Sequence, residues 1–400
     1  TFVFLCATLT FLCVCGASAK TIYVPDDYEK IQWAVDNASA GDTIVVRDGV
    51  YNEGVAVNKK LIIKSENGSA NCVVDCSGYC SGYEAVFYLN ANGVKVEGFT
   101  ITGGYYGIYV DSKNNNTISN NTIENNRYGI RLVDSKNNKI LNNTIVENSW
   151  CGIWLDSIQL SSTNNIISNN FIENNQVGIY LWGSYYNTIE NNEFISDGLY
   201  VFKSCPNKVY NNTVNGKPLV YLEYEADESV YNAGQVILVY CENITVMNSE
   251  ITNTHPGIEL WKSNNCLISS NNISNNNGTG IILWYSNNNT IINNNILNNW
   301  DGIILEDSDY NSISSNNISL NTRSSFGIGG FGIFLDFDSN NNTVYLNTFI
   351  ANTPNVGYVS TKNIWNSTEP ITYTYKGKTF TNYLGNYWDD YIGMDNNSDG

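Results

Sequence analysis

Soft metal donors are scarce in this sequence. It contains one histidine, His255, two methionines, Met247 and Met394, and ten cysteines. Imidazole, thioether and thiolate are the ligands copper prefers. His255 stands before Pro256 with no second histidine to share an ion, so copper is not expected. The spacing Cys72-x3-Cys76-x3-Cys80 matches no common zinc pattern and reads better as a source of one disulfide, its pairing left open. Hard donors are better arranged. Asp395, Asn397 and Asp399, followed by Gly400, match the D-x-N-x-D-G half of a calcium loop and are the metal candidates, with calcium the expected ion. Cleaving a glycosidic bond needs convergent acids. Neighbouring acids occur at Asp26–Asp27 and Asp389–Asp390, toward the two ends. Acids also recur at Asp111, Asp134, Asp156, Glu306 and Asp336. A solvated acidic face accounts for that row; as catalysts, Asp156 and Glu306 are the ones to test.

A second set of residues points to binding. Strands of the pattern Gly-Ile-x-Leu place Tyr109, Arg131, Trp154, Tyr180, Glu259, Ile282, Ile304 and Phe334 outward, and Trp182, Trp261 and Trp284 follow two residues after. If successive strands stack in register, Tyr109, Trp154, Tyr180, Trp182, Trp261 and Trp284 form one aromatic stripe along a long face. Contiguous exposed aromatics mark binding surfaces, and rings flanked by carboxylates suit sugars.

Only a repeating fold would align these candidates, and the sequence repeats. Residues 107–126, GIYVDSKNNNTISNNTIENN, recur as 129–148, GIRLVDSKNNKILNNTIVEN, and again from Gly152, Gly178, Gly257, Gly280, Gly302 and Gly332. A fixed period of this size denotes stacked units that cannot bury their apolar faces alone. Apolar residues alternate in short bursts, Ile108 and Val110 against Tyr109 and Asp111, which is strand periodicity. The pairs Asn120–Asn121, Asn142–Asn143, Asn169–Asn170, Asn191–Asn192, Asn271–Asn272, Asn294–Asn295 and Asn316–Asn317 mark corners at one phase, where Asn tolerates left-handed backbone angles. Stacked amides would bond along the axis as ladders. The expected fold is all-β: a single-stranded, right-handed parallel β-helix solenoid of about a dozen coils.

Charge and composition narrow the partners. With a formal net charge of −18 and only 14% charged residues, the chain is unsuited to nucleic acid or anionic membranes. Residues 1–19 read as an N-terminally truncated secretory signal, an apolar run ending in Ala17–Ser18–Ala19. Export to the surface, the medium or a periplasm follows, with no membrane span in the mature chain. Fourteen Asn-x-Ser/Thr sequons, from Asn37 to Asn396, are potential glycosylation sites.

In order, residues 20–350 carry the coils, with a cap at 20–50, an excursion near 197–233, and an aromatic C-terminal cap at 351–400. Asp26 is placed to cap a helix whose Ile31, Ala34, Val35 and Ala38 share one face. The string IQWAVDNASAGDTIVVRDGVYNE followed by VNKKLIIKSENG resembles the N-terminal capping helix of pectin-lyase-like right-handed β-helices. The coils, the segment NGKPLVYLE…NAGQVILVYCENITV and the ending TYTYKGKTFTNYLGNYWDDYIGMDNNSDG resemble NosD-type β-helix (PbH1 repeat) surface proteins of archaea and bacteria. That resemblance covers nearly the whole mature chain. It implies a secreted or cell-surface protein, non-catalytic and carbohydrate-interacting or structural, whose partner is a polysaccharide or cell-surface glycan. The alternatives it carries are a polysaccharide lyase or hydrolase with a divergent site, and a periplasmic copper-associated protein. The polygalacturonase strings NTD, GHG and RIK and the epimerase string DPHD are missing.

Overall fold

The computed structural model describes residues 19–78, 85–159, 161–323, 330–336, 338–358 and 362–393. They form an all-β parallel solenoid of about 15 turns with a single α-helix, Ile31–Asn37. Each regular turn contributes three short strands, as in Tyr106–Asp111, Thr117–Ser119 and Thr122–Glu124. Like stacks on like: Ile108 pairs with Ile130, Ile130 with Ile153 and Ile153 with Ile179. The alternating residues between them face out. Ile118, Ile140, Ile167 and Ile189 form a second fully buried column, each worth about 1.5–3 kcal/mol of apolar burial.

Corners are made by asparagine in two distinct roles. Asn120, Asn142, Asn169 and Asn191 take left-handed φ of 54–56°. The residues after them, Asn121, Asn143, Asn170 and Asn192, turn inward and are buried. Asn143 shows the ladder: its Oδ1 accepts from the backbone N–H and side-chain amide of Asn121 (3.0 and 3.1 Å), and its Nδ2 donates to Ile118 O and Asn170 Oδ1, both at 3.0 Å. Every polar atom of the buried amide is thereby satisfied. The named pairs do not all share one phase. After residue 217 the left-handed position passes to Ser270, Asn293 and Ser315, so Asn271, Asn294 and Asn316 are the ladder residues. Asn272, Asn295 and Asn317 instead open strands.

The coils do not share one bore. Residues 197–233, expected to leave the stack, supply Leu199–Phe202, Lys208–Tyr210 and Thr213–Val214, which finish a first stack, and Lys217–Glu223 and Ser229–Tyr231, which begin a second. Between the two stacks the chain turns at Asn215–Gly216, where Gly216 has φ +77°, and Val214 pairs antiparallel with Lys217. Reversing a strand exchanges what its two faces meet. Val236, Leu238, Ile258, Leu260, Ile281 and Leu283 line the bore of the second stack. Their neighbours Ile237, Val239, Trp261, Ile282, Trp284 and Ile304 join the core of the first. The outer surface of the second stack therefore closes the end of the first.

That closure also completes an edge. Leu199–Phe202 ends the seven-stranded sheet of the first stack, where the next turn would supply hydrogen bonds. Gln235 takes its place, accepting from Leu199 N–H at 3.0 Å and donating to Leu199 O at 2.8 Å. Glu259 accepts from Val201 N–H at 3.2 Å.

At the other end, Ile31, Ala34 and Val35 of the helix are buried in the first core. Its first amides are held by Glu53, which accepts from Ile31 and Gln32 at 2.9 and 3.0 Å. Asp26, expected to cap the helix, is paired with Arg47 at 2.6 Å. Near the C-terminus Trp388 stacks on Phe349, ring centres 4.3 Å apart, at the end of the second bore. No helix among the described residues is long and apolar enough to cross a membrane.

Candidate functional site

On the first stack, the successive strands from Ala85–Leu89 to Leu199–Phe202 put Tyr88, Tyr109, Arg131, Trp154, Tyr180 and Tyr200 in one outward column. A flanking column holds Tyr106, Tyr128, Cys151 and Val177. Ring centres are 5.6 Å apart for Tyr88–Tyr109, 4.9 Å for Tyr106–Tyr109, 5.3 Å for Tyr128–Trp154, 6.0 Å for Trp154–Tyr180 and 5.0 Å for Tyr180–Tyr200. The Arg131 guanidinium lies 4.0 Å from the Trp154 ring centre, donates to Tyr106 Oη at 2.7 Å and is ion-paired with Asp156.

Because the rings stack on one another, most of their faces are already covered. Along this column a ligand would meet ring edges, phenol hydroxyls and the Arg131–Asp156 pair rather than open rings. Trp182 is different: it is 43% exposed and is packed edge-on to Phe202 at 5.7 Å.

The second half of the expected stripe lies elsewhere. Trp261 and Trp284 are only 5% and 7% exposed. They pack on Phe202 at 5.7 and 5.0 Å, because the strand reversal turns their side of the second stack onto the first. They belong to the joint, not to an open face. The aromatic run is nonetheless continuous, from Tyr88 through Trp154, Trp182 and Phe202 to Trp284, and it bends into the corner between the stacks.

The acids divide. Asp111 pairs with Val133 and Val133 with Asp156, so Asp134 lies one residue off the row, accepting from the backbone N–H groups of Ile158 and Gln159 at 3.1 Å. Asp156 is buried and neutralised by Arg131. Glu306 is half-buried, and its carboxyl is pushed up to about 7, first by burial and then by Asp336 and Asp307; Lys203 opposes the shift. Glu259, fully buried, is pushed well above the usual carboxylate range by desolvation.

Metal donors are dispersed. Among the described residues, no three His, Cys, Asp or Glu side chains are placed to share an ion. His255 Nδ1 is 2.8 Å from Asn277 O. Cys76 is disulfide-bonded, while Cys72, Cys151, Cys205, Cys241 and Cys266 are free thiols. Met394 and the calcium candidates Asp395, Asn397 and Asp399 lie outside the described residues.

Several residues of the corner escaped sequence reasoning. Tyr106 and Tyr128 had a usable signal, since each directly precedes the repeat glycine. Tyr200, Phe202 and Lys203 lie in the expected excursion, where no repeat pattern marks them.

Part of the chain is similar to a cell surface glycoprotein of Methanothermus fervidus, 39% identical over 101 residues, which is 24% of this chain and 16% of that protein. In fold it is similar to the catalytic domain of a GH87 alpha-1,3-glucanase in complex with tetrasaccharides (TM-score 0.45, 15% identity, 87% of this chain and 69% of that one). It also resembles PfbA, a surface adhesin of Streptococcus pneumoniae (TM-score 0.37, 14% identity, 91% and 99%). A family model described as periplasmic copper-binding protein (NosD) matches residues 35–235 and 222–393, and the chain belongs to that family.

Proposed function

We propose that this is a secreted or cell-surface β-solenoid that holds a neutral carbohydrate chain, without cleaving it, in the corner between its two stacks. One observation carries the reading: a continuous aromatic run, edged by tyrosine hydroxyls and the fixed Arg131–Asp156 pair, passes the exposed Trp182 and bends into the corner. Rigid aromatics with hydroxyls and a fixed ion pair are what orient a polyhydroxylated ligand. Surface placement is supported by the likeness to the M. fervidus glycoprotein.

Copper does not suit the described residues. The imidazole of His255 is committed through Nδ1 to a carbonyl, and the thiols do not converge with it.

A second reading is favoured by Glu306, since a carboxyl near 7 is suited to general acid–base work. Cleavage of a polysaccharide would use it. The test is a glycan array on the mature protein, with reducing-sugar and unsaturated-product assays on every hit. Binding without product, weakened by Trp182→Ala at unchanged Tm, is the expected result. Product that disappears in Glu306→Gln would replace this reading with the enzymatic one.

A further inference from the structure

Where the stacks meet, the corner deepens into a pocket of about 160 Å³, walled by Trp150, Tyr180 and Tyr200 of the first stack and His255, Ile282 and Trp300 of the second. Its aromatic walls stand steeply to one another. Trp150 and Tyr180 meet at 63°, Tyr200 and His255 at 78°, His255 and Trp300 at 82°. Such walls surround a compact ring better than a flat or extended group.

The polar atoms are few and uncharged. Burial holds His255 below its ordinary pKa, so the ring is neutral at pH 7. With Nδ1 facing Asn277 O at 2.8 Å, the proton sits on Nδ1 and Nε2 is left as an acceptor. Trp300 adds an indole face to the wall. An apolar guest would leave the Nε2 of His255 unpaired, at a cost of about 1–3 kcal/mol. An anion would face a protein of net charge −18 with no cation in the pocket wall.

The pocket also sits where the long face stops. The column that begins at Tyr88 ends at Tyr200, and beyond it the second stack stands across the path with His255, Ile282 and Trp300. A chain lying along the column cannot continue. We infer that the pocket receives the terminal, uncharged sugar residue of a glycan whose following units lie on the first stack, so that the protein recognises chain ends. This rests on the carbohydrate reading above.

The test uses the mature full chain and titration calorimetry with linear cello-, laminari-, manno- and chito-oligosaccharides and the matching polymers. For whichever series binds, the stoichiometry should stay at one protein per recognised chain end, whatever the chain length. His255→Phe, which keeps an aromatic wall and removes the acceptor, should weaken binding about tenfold in a variant that still unfolds cooperatively. Ile282→Trp, which fills the pocket, should abolish it. If the protein bound per chain rises with polymer length, and His255→Phe binds as tightly as wild type while Trp182→Ala does not, chain-end recognition is overturned and the carbohydrate reading stands. If no series binds, both are overturned.

Discussion

Replacing Glu259 with glutamine should stabilise the protein, and by more at pH 8 than at pH 5. Glu259 is fully buried at the joint, with Oε2 accepting from Val201 N–H at 3.2 Å and Oε1 unpartnered. Desolvation raises its carboxyl well above the ordinary glutamate value of 4.5. The native state then holds a proton that the unfolded chain releases. A carboxyl raised in this way contributes stability that is fully present below about 4.5 and is lost as pH rises toward the native pKa. The slope is about 1.4 kcal/mol per pH unit for one proton. Glutamine keeps the acceptor for Val201 and has no proton to lose, so that slope vanishes in the variant. Asp197, buried and likewise raised, is common to both proteins and cancels in the difference. Urea unfolding at pH 5, 6, 7 and 8 should show the gap between variant and wild type widening by about 1.4 kcal/mol per unit while Glu259 stays protonated. A gap independent of pH would mean that Glu259 is ionised in the folded joint, and the reasoning would fail.

Two further outcomes follow from the same geometry. Asn143→Ala leaves the buried N–H of Asn121 without an acceptor and removes the side-chain bonds to Ile118 O and Asn170 Oδ1, and should cost about 3–5 kcal/mol in chemical denaturation. Asn142→Ala, at an exposed left-handed corner with φ 54°, should cost only about 1–2 kcal/mol; equal losses would contradict the ladder. Asp336→Asn removes a negative neighbour of Glu306, so the Glu306 midpoint, followed by NMR of 13C-labelled glutamate, should fall below about 7. An unchanged midpoint would mean that burial and Asp307, without Asp336, raise it.

Local rules carried the coil and failed at its ends. The alternation of Ile108, Tyr109 and Val110 and the asparagine corners depend on neighbours one turn away, so period and phase show them directly. The joint depends on a single event, the reversal at Asn215–Gly216. That turn signal was visible, but its consequence was not. Only three-dimensional closure shows that Trp261 and Trp284, patterned like Trp182, meet Phe202 instead of solvent. The same closure explains why Gln235 and Glu259, polar residues on outward positions, are buried. They complete the edge of Leu199–Phe202. Likewise Glu53, distant in sequence, displaced Asp26 at the helix N-terminus.

The central claim is that carbohydrate sits in the corner between the stacks. Amide hydrogen exchange with and without a saturating array hit tests it most directly. The account predicts added protection confined to strands Tyr106–Asp111, Tyr128–Val133, Cys151–Asp156 and Val177–Trp182 and to the joint. Protection on the faces carrying Thr117–Ser119 or Thr122–Glu124, with none in the corner, would contradict it.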